Sequence, residues 1–256
     1  MVTRTIHSMA LQGASFIKDA TYSAMPYTTL NEKYDIEYTY DTEELPQLGW
    51  YGLGIDFSPL IDDDEADLKD YVHSVADFDT FLPLPFIVRD KSVGLTQDEK
   101  DRYGIFVEKT IDDTDYILCY LRKIDALEST VKISEVERDE DGRYNTVEHV
   151  QENPPTPKLS GDESNRGMIT STNAVVELSE YDVGKLLEAS DLLYPEIDED
   201  VRHSVREIAL YSGIRVPDDI VVAQALFFKY IELNTENEEA YSTRVSIGSL
   251  TPKVKL

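Results

Sequence analysis

The chain has 256 residues, with 24 Lys and Arg against 51 Asp and Glu, a formal charge of −27 and 41 % hydrophobic residues. Nucleic acid is held by clustered Lys and Arg that release counterions, so a surface this acidic excludes a DNA or RNA partner. The apolar and aromatic content suffices for a packed core, and the length suits one large or two small domains of roughly 100–200 residues each.

The single cysteine, Cys119, excludes an intrachain disulfide and a thiolate metal cluster. It stands in the apolar run Tyr116 to Leu121, which points to a buried structural thiol rather than a nucleophile. No window approaches the roughly 18 consecutive apolar residues of a membrane span. Met1 to Lys18 lacks a continuous apolar stretch behind positive charge, and no Asn-x-Ser/Thr sequon is present. The expectation is an unexported chain without a membrane partner.

Residues 1–33 carry small and hydroxyl side chains with no sustained period and few charges. They are expected to form an extended N-terminal arm that orders on another surface, with Phe16, Ile17 and Tyr22 as apolar anchors. From Tyr34 the pattern alternates: Tyr34, Ile36, Tyr38 and Tyr40 on one face of a strand, Asp35, Glu37 and Thr39 on the other. Leu48 to Phe57 reads as a second strand, whose glycines suggest close backbone approach or a bulge. Trp50 and Tyr51 there are aromatic contacts or core, and for the lone Trp the core reading is the stronger.

Residues 41–80 hold one Lys against twelve Asp and Glu, so this block alone contributes −11. Its run Asp62 to Glu65 reads as a solvated loop, because the calcium-loop pattern fails at Ala66, Asp67 and His73. Gly104 to Thr110 and Tyr116 to Arg122 flank an acidic turn and predict a hairpin. Thr130 to Val136 and Arg143 to Glu148, around Asp141-Gly142, predict another. Residues 34–150 are thus expected to form an antiparallel β domain.

The Pro- and Gly-containing stretch 151–173 reads as a linker or long loop. Ser179-Glu180-Tyr181-Asp182 then opens a helix with a capping-box pattern, Asp replacing Glu, that ends before Pro195. Val205 to Tyr211 suits either helix or strand. Residues 219–234 are too β-branched and aromatic for a helix, and Tyr241 to Ile247 alternates as a strand. Residues 174–256 are therefore expected to be one helix with antiparallel strands, packing on the β domain. The fold class is α+β, mainly β: antiparallel hairpins in sandwich-like sheets, one C-terminal helix and the extended arm.

Signatures of catalysis are missing. Gly52-Leu53-Gly54 lacks the third glycine of a dinucleotide fingerprint, Gly184-Lys185 lacks the rest of a phosphate loop, and the four histidines are scattered singly. No catalytic residue, metal or cofactor is expected. Tyr on short strands supplies large contact area at low rotamer cost, which suits assembly.

The segment Val205-Arg206-Glu207-Ile208-Ala209-Leu210-Tyr211-Ser212-Gly213, followed by Ile220 to Lys229, resembles a pattern of tailed-bacteriophage virion proteins. In that pattern a Glu-Ile-Gly-Leu-Tyr-like strand precedes a turn, a second apolar strand and a final strand similar to Tyr241 to Ile247. The sequence departs from it at Ala209, where Gly is commoner. Tyr34 to Phe57 and Leu84 to Lys91 also look like phage structural proteins. The resemblance implies a non-enzymatic virion component, made in the host cytoplasm and repeated as a homo-oligomer at the neck, collar or tail. Its partners would be further copies of itself and portal, neck, tail or capsid neighbours. Capsid decoration and a baseplate role are alternatives, and an acidic protein–protein adaptor outside a virion is the reading from another class. On this view Lys253 and Lys255 reach an acidic neighbour.

Overall fold

The computed structural model describes residues 2–16, 22–39, 44–55, 73–124, 126–138, 143–148, 166–217, 219–234 and 241–252. They fall into two units: residues 1–124 with 177–242, and residues 125–176 with 243–256. The boundary does not follow the expected linker. Of 151–173, residues 166–173 lie within a strand and the remainder lies outside the described residues, as does the acidic run Asp62 to Glu65.

The first half of the chain supplies β1 (Val2–Arg4), α1 (Ile6–Ser15), α2 (Leu30–Lys33), β2 (Gln47–Ile55), β3 (Pro83–Leu84), β4 (Ile87–Asp90), α3 (Gln97–Arg102), β5 (Tyr103–Ile111) and β6 (Thr114–Lys123). Then follow β7 (Ala126–Arg138), β8 (Tyr144–Glu148), β9 (Arg166–Leu178), α4 (Glu180–Leu193), α5 (Glu199–Arg202), β10 (Ser204–Arg215), β11 (Ile220–Asn234) and β12 (Tyr241–Pro252). The fold is α+β and mainly antiparallel β, as the alternating and β-branched stretches predict.

In the first unit, β10 and β11 form a long hairpin at the centre of an eight-stranded sheet. β2 pairs with the other edge of β10, β6 follows β2, and β5 lies along β6; β4 also pairs with β6, and β3 with β2. The central strands are buried almost along their length, which is why their sequences run apolar rather than alternating. Trp50, Ile105, Leu121, Tyr211, Ile220 and Phe228 meet in the principal core.

The sheet curls far enough for β5 to meet the start of β11. The Asp219 carboxylate accepts hydrogen bonds from the backbone N–H of Ile105 (2.6 Å), Phe106 (3.3 Å) and Ile220 (2.7 Å). Ile105 takes a positive φ of 57°, an unusual conformation for a β-branched residue, and the carboxylate fastens the backbone there.

Residues of the expected arm instead belong to the sheet unit. β1 pairs antiparallel with β11, Thr5 caps α1 and donates its N–H to the Leu226 carbonyl (3.0 Å), and the Asn31 amide bonds the Ile220 carbonyl (2.8 Å) and the Ala223 N–H (3.1 Å). Asn31 thereby satisfies backbone groups on the edge of β11 beyond the reach of the short β1. Such long-range pairing leaves no period in the local sequence.

The alternation at 34–39 is real in burial but makes no strand. Tyr34, Ile36 and Tyr38 are half-buried while Asp35, Glu37 and Thr39 are exposed, yet these residues carry no ladder. Asp35 has φ of 54°, and the Ile36 N–H turns back to the Asn31 carbonyl (2.8 Å). Tyr34 instead stacks on Tyr120 with ring centroids 4.6 Å apart.

The second unit holds a four-stranded antiparallel sheet in the order β12, β9, β7, β8. β7 and β8 pair from Ser134 opposite Glu148 to Arg138 opposite Tyr144, which matches the second predicted hairpin. Residues 139–142, its turn, lie outside the described residues.

Candidate functional site

The helices α3 and α4 are fixed by a device that α2 shares through Thr29 and Glu32. Before α3, the Glu99 carboxylate accepts from the Thr96 N–H (2.9 Å) while the Thr96 hydroxyl accepts from the Glu99 N–H (3.3 Å), a capping box. Before α4, Asp182 and Ser179 repeat it: the Asp182 carboxylate accepts from the Ser179 N–H (2.8 Å) and the Ser179 hydroxyl from the Asp182 N–H (3.2 Å). Each capping carboxylate also takes an arginine from the sheet. Arg89 of β4 binds Glu99 through both guanidinium nitrogens (2.6 and 2.5 Å), and Arg122 of β6 meets Asp182 at 2.6 Å.

The electrostatics follow. Burial alone would raise the Asp182 carboxyl, but Arg122 and the Ser179 hydrogen bonds outweigh it and hold the group below the usual aspartate range. Burial of Glu99 is likewise outweighed by Arg89 and Thr96, and its carboxyl is lowered. Both acids thus stay ionised and orient their helices.

Between β4, α3 and α4 lies a cavity of about 380 Å³. Its floor includes Phe86 and Tyr103, both buried, with ring centroids 6.1 Å apart. Burial pushes the Tyr103 phenol above its ordinary value. The rim carries Tyr181, whose side of α4 leaves the residue 69 % exposed, and Lys185, whose ammonium lies 5.8 Å from the Tyr181 ring centre. Lys185 also pairs with the exposed Glu188 at 2.5 Å. Arg102, at the C-terminal end of α3, lines the cavity and has no ion-pair partner among the described residues. The pocket thus combines a balanced set of charges, Arg89, Arg102 and Lys185 with Asp98, Glu99 and Asp182, with an accessible ring above an apolar floor.

A second polar cluster is buried. His73 is sandwiched between the rings of Phe81 (centroids 4.1 Å) and Phe228 (3.6 Å), with Nδ1 2.9 Å from Asp77 Oδ2 and Nε2 3.0 Å from Glu207 Oε2. The Tyr230 hydroxyl accepts from the His73 N–H (2.8 Å). This network ties residues 73–81 to the central hairpin.

The sequence-selected contact residues are dispersed. Phe16 is exposed at 77 %, whereas Trp50 and Tyr51 are buried within the sheet unit and are core, not surface. Tyr22 is also buried, its hydroxyl donating to Gln224 Oε1 at 2.6 Å, so it anchors the N-terminal residues on their own chain. Ile17, Lys253 and Lys255 lie outside the described residues. None of these residues lines the cavity. Its lining comes from β4, α3, β5 and α4, and only the caps of its two helices, Thr96-x-x-Glu99 and Ser179-x-x-Asp182, leave a local mark in the sequence.

Chemically, the pocket suits binding. Cys119 is fully buried and its thiol is pushed up by that burial, which silences it as a nucleophile. Among the described residues, no three His, Cys, Asp or Glu side chains are placed to hold a metal ion, and no described helix is long and apolar enough to cross a membrane.

These features define a mainly antiparallel β protein with a charged, aromatic-rimmed pocket beside its principal sheet. The chain belongs to the Family of unknown function (DUF7208), whose model matches residues 1–237. No curated protein and no solved structure matches it.

Proposed function

We propose that the chain is a non-enzymatic structural protein of a tailed-phage virion, repeated as copies of itself at the neck, collar or tail. One observation supports the reading: the segment that resembles phage virion proteins is built of strands. Glu207 to Tyr211 lies in β10, a turn follows, Ile220 to Lys229 lies in β11, and Tyr241 to Ile247 lies in β12. The exposed Phe16 and the outer edges of β5 and β8 offer contacts to neighbouring copies. The test is mass spectrometry of density-gradient fractions from the source lysate. Peptides that follow intact particles at a fixed ratio to the major capsid protein are expected. Peptides confined to the soluble fractions would reject the virion reading in favour of an adaptor.

A further inference from the structure

We propose that the outer face of α1 is the contact through which two copies of this chain pair, the two helices lying antiparallel across a two-fold axis. The inference rests on the proposed function only in taking from it that copies of the chain meet. The first ground is charge. Residues 5–16 and 22–28 contain no Asp, Glu, Lys or Arg, in a chain where those residues make up 29 %. The inner side of α1 has its own reason: His7 and Ser8 are buried, and Leu11 and Ala14 pack on the cluster of Tyr22, Ile214, Val221 and Val222. The outer side has none within the chain, because Met9, Ala10, Gln12, Gly13, Ser15 and Phe16 are exposed, and a solvated helix face ordinarily carries charge. Of the eight large hydrophobic side chains exposed among the described residues, Met9, Phe16, Met25 and Tyr27 fall within residues 9–27.

Charge also selects the occupant. A cationic partner would be drawn to the acidic surface, whereas an uncharged face is required where the facing molecule is itself strongly acidic, and a second copy carries −27. An isologous contact sets a patch against the same patch, so it is centred where like charges are missing. Arg4 borders the face, its guanidinium bonded to the Ser8 hydroxyl (3.1 Å) and to Gln12. In an antiparallel pair the two Arg4 side chains fall at opposite ends of the contact.

The spacing selects the geometry. Met9, Gln12, Gly13 and Phe16 recur at intervals of three and four and share one side of the helix. Their positions read the same from either end about the midpoint of Gln12 and Gly13. Two such helices laid antiparallel therefore set Met9 of each copy level with Phe16 of the other, the two Gln12 amides side by side and the two Gly13 backbones close together. Gly13 is otherwise unexplained. A Cβ added there meets nothing within 4 Å in the chain, its φ is not positive, and glycine weakens a helix. A facing helix gives it a reason, since axes approach to about 8 Å only where the side chains at the contact are small.

The test is oxidative cross-linking of the full chain carrying Gln12→Cys, together with sedimentation at about 0.15 M NaCl, where repulsion between copies is screened. Cys119 is fully buried, so the introduced thiol is the reactive one. Gln12→Cys is expected to give a covalent pair, whereas Val93→Cys, at another exposed position, should leave single chains. Gly13→Leu should weaken pairing by about tenfold or more, although it adds apolar surface. Thermal unfolding of that variant at about 0.01 M NaCl, where copies stay apart, should be no lower than that of the unaltered chain. Tighter association of Gly13→Leu would indicate unspecific apolar adhesion and overturn the packing. Association that persists without a Gln12→Cys cross-link would overturn this interface and leave self-assembly standing. Single chains under every condition would overturn both.

Discussion

Ile220 shows how closely single residues are fitted in the sheet unit. A Cβ added at Gly104 would stand 2.0 Å from its Cδ1, and one added at Gly213 would stand 2.3 Å from its Cγ2. The two glycines thus make room for one branched side chain where β5 meets the start of β11. Gly104→Ala should destabilise the protein by about 1–3 kcal/mol through overpacking. In an Ile220→Ala background, itself costly through the cavity it leaves, that penalty should disappear. Urea unfolding of the four proteins in the cycle measures the coupling, and equal penalties in both backgrounds would refute the packing argument. Asp182 makes a separate prediction at the same scale. Its carboxyl is lowered in the folded chain, so its contribution is present above its ordinary value near 3.8 and is lost as pH falls through the lowered native value. Asp182→Asn should cost about 2 kcal/mol or more at pH 7, and the gap to wild type should narrow in unfolding experiments below pH 3.8. A gap of constant size across that range would contradict the assignment.

At the scale of elements, the hairpin of β5 and β6 closes through Asp112 and Asp113, with φ of 47° and 62°, between the paired Ile111 and Thr114. Two successive positive φ values define the tight turn that matches strand twist, and glycine takes the second position without a Cβ penalty. Asp113→Gly should therefore stabilise the protein by about 0.5–1 kcal/mol, raising Tm by about 1–4 °C; a lower Tm would show that the side chain matters to the turn. This hairpin and α4 were legible in the sequence because turn chemistry and capping are local. The strand proposed at Tyr34 was half legible. Its period of two correctly separates half-buried from exposed residues, but periodicity reports a buried face and not a hydrogen-bonded neighbour. β1 was illegible for a related reason: three residues have no period, and their partner is more than 220 positions away. The pocket was hidden for the same cause, since Arg89, Arg102 and Lys185 acquire a common environment only after β4, α3 and α4 come together.

At the scale of the whole molecule, charge opposes the assembly that we propose. Copies carrying −27 repel one another, and the block of residues 41–80 supplies −11 of that charge. Contact between copies must then rest on uncharged groups, such as strand edges and the exposed Phe16, acting over short range while the repulsion acts over the Debye length. That length shrinks from about 30 Å at 0.01 M salt to about 8 Å at 0.15 M, so added salt removes the repulsion and spares the contacts. Association should accordingly increase with ionic strength, the reverse of an assembly held by ion pairs. Sedimentation velocity at about 0.01 M and 0.15 M NaCl measures this directly. A shift from single chains to a defined oligomer is the expected result, and Phe16→Ser should reduce it at the higher salt without altering the single chain's unfolding. Oligomers that dissociate on adding salt would place the contacts on charged groups instead, and single chains at both concentrations would count against self-assembly through these surfaces.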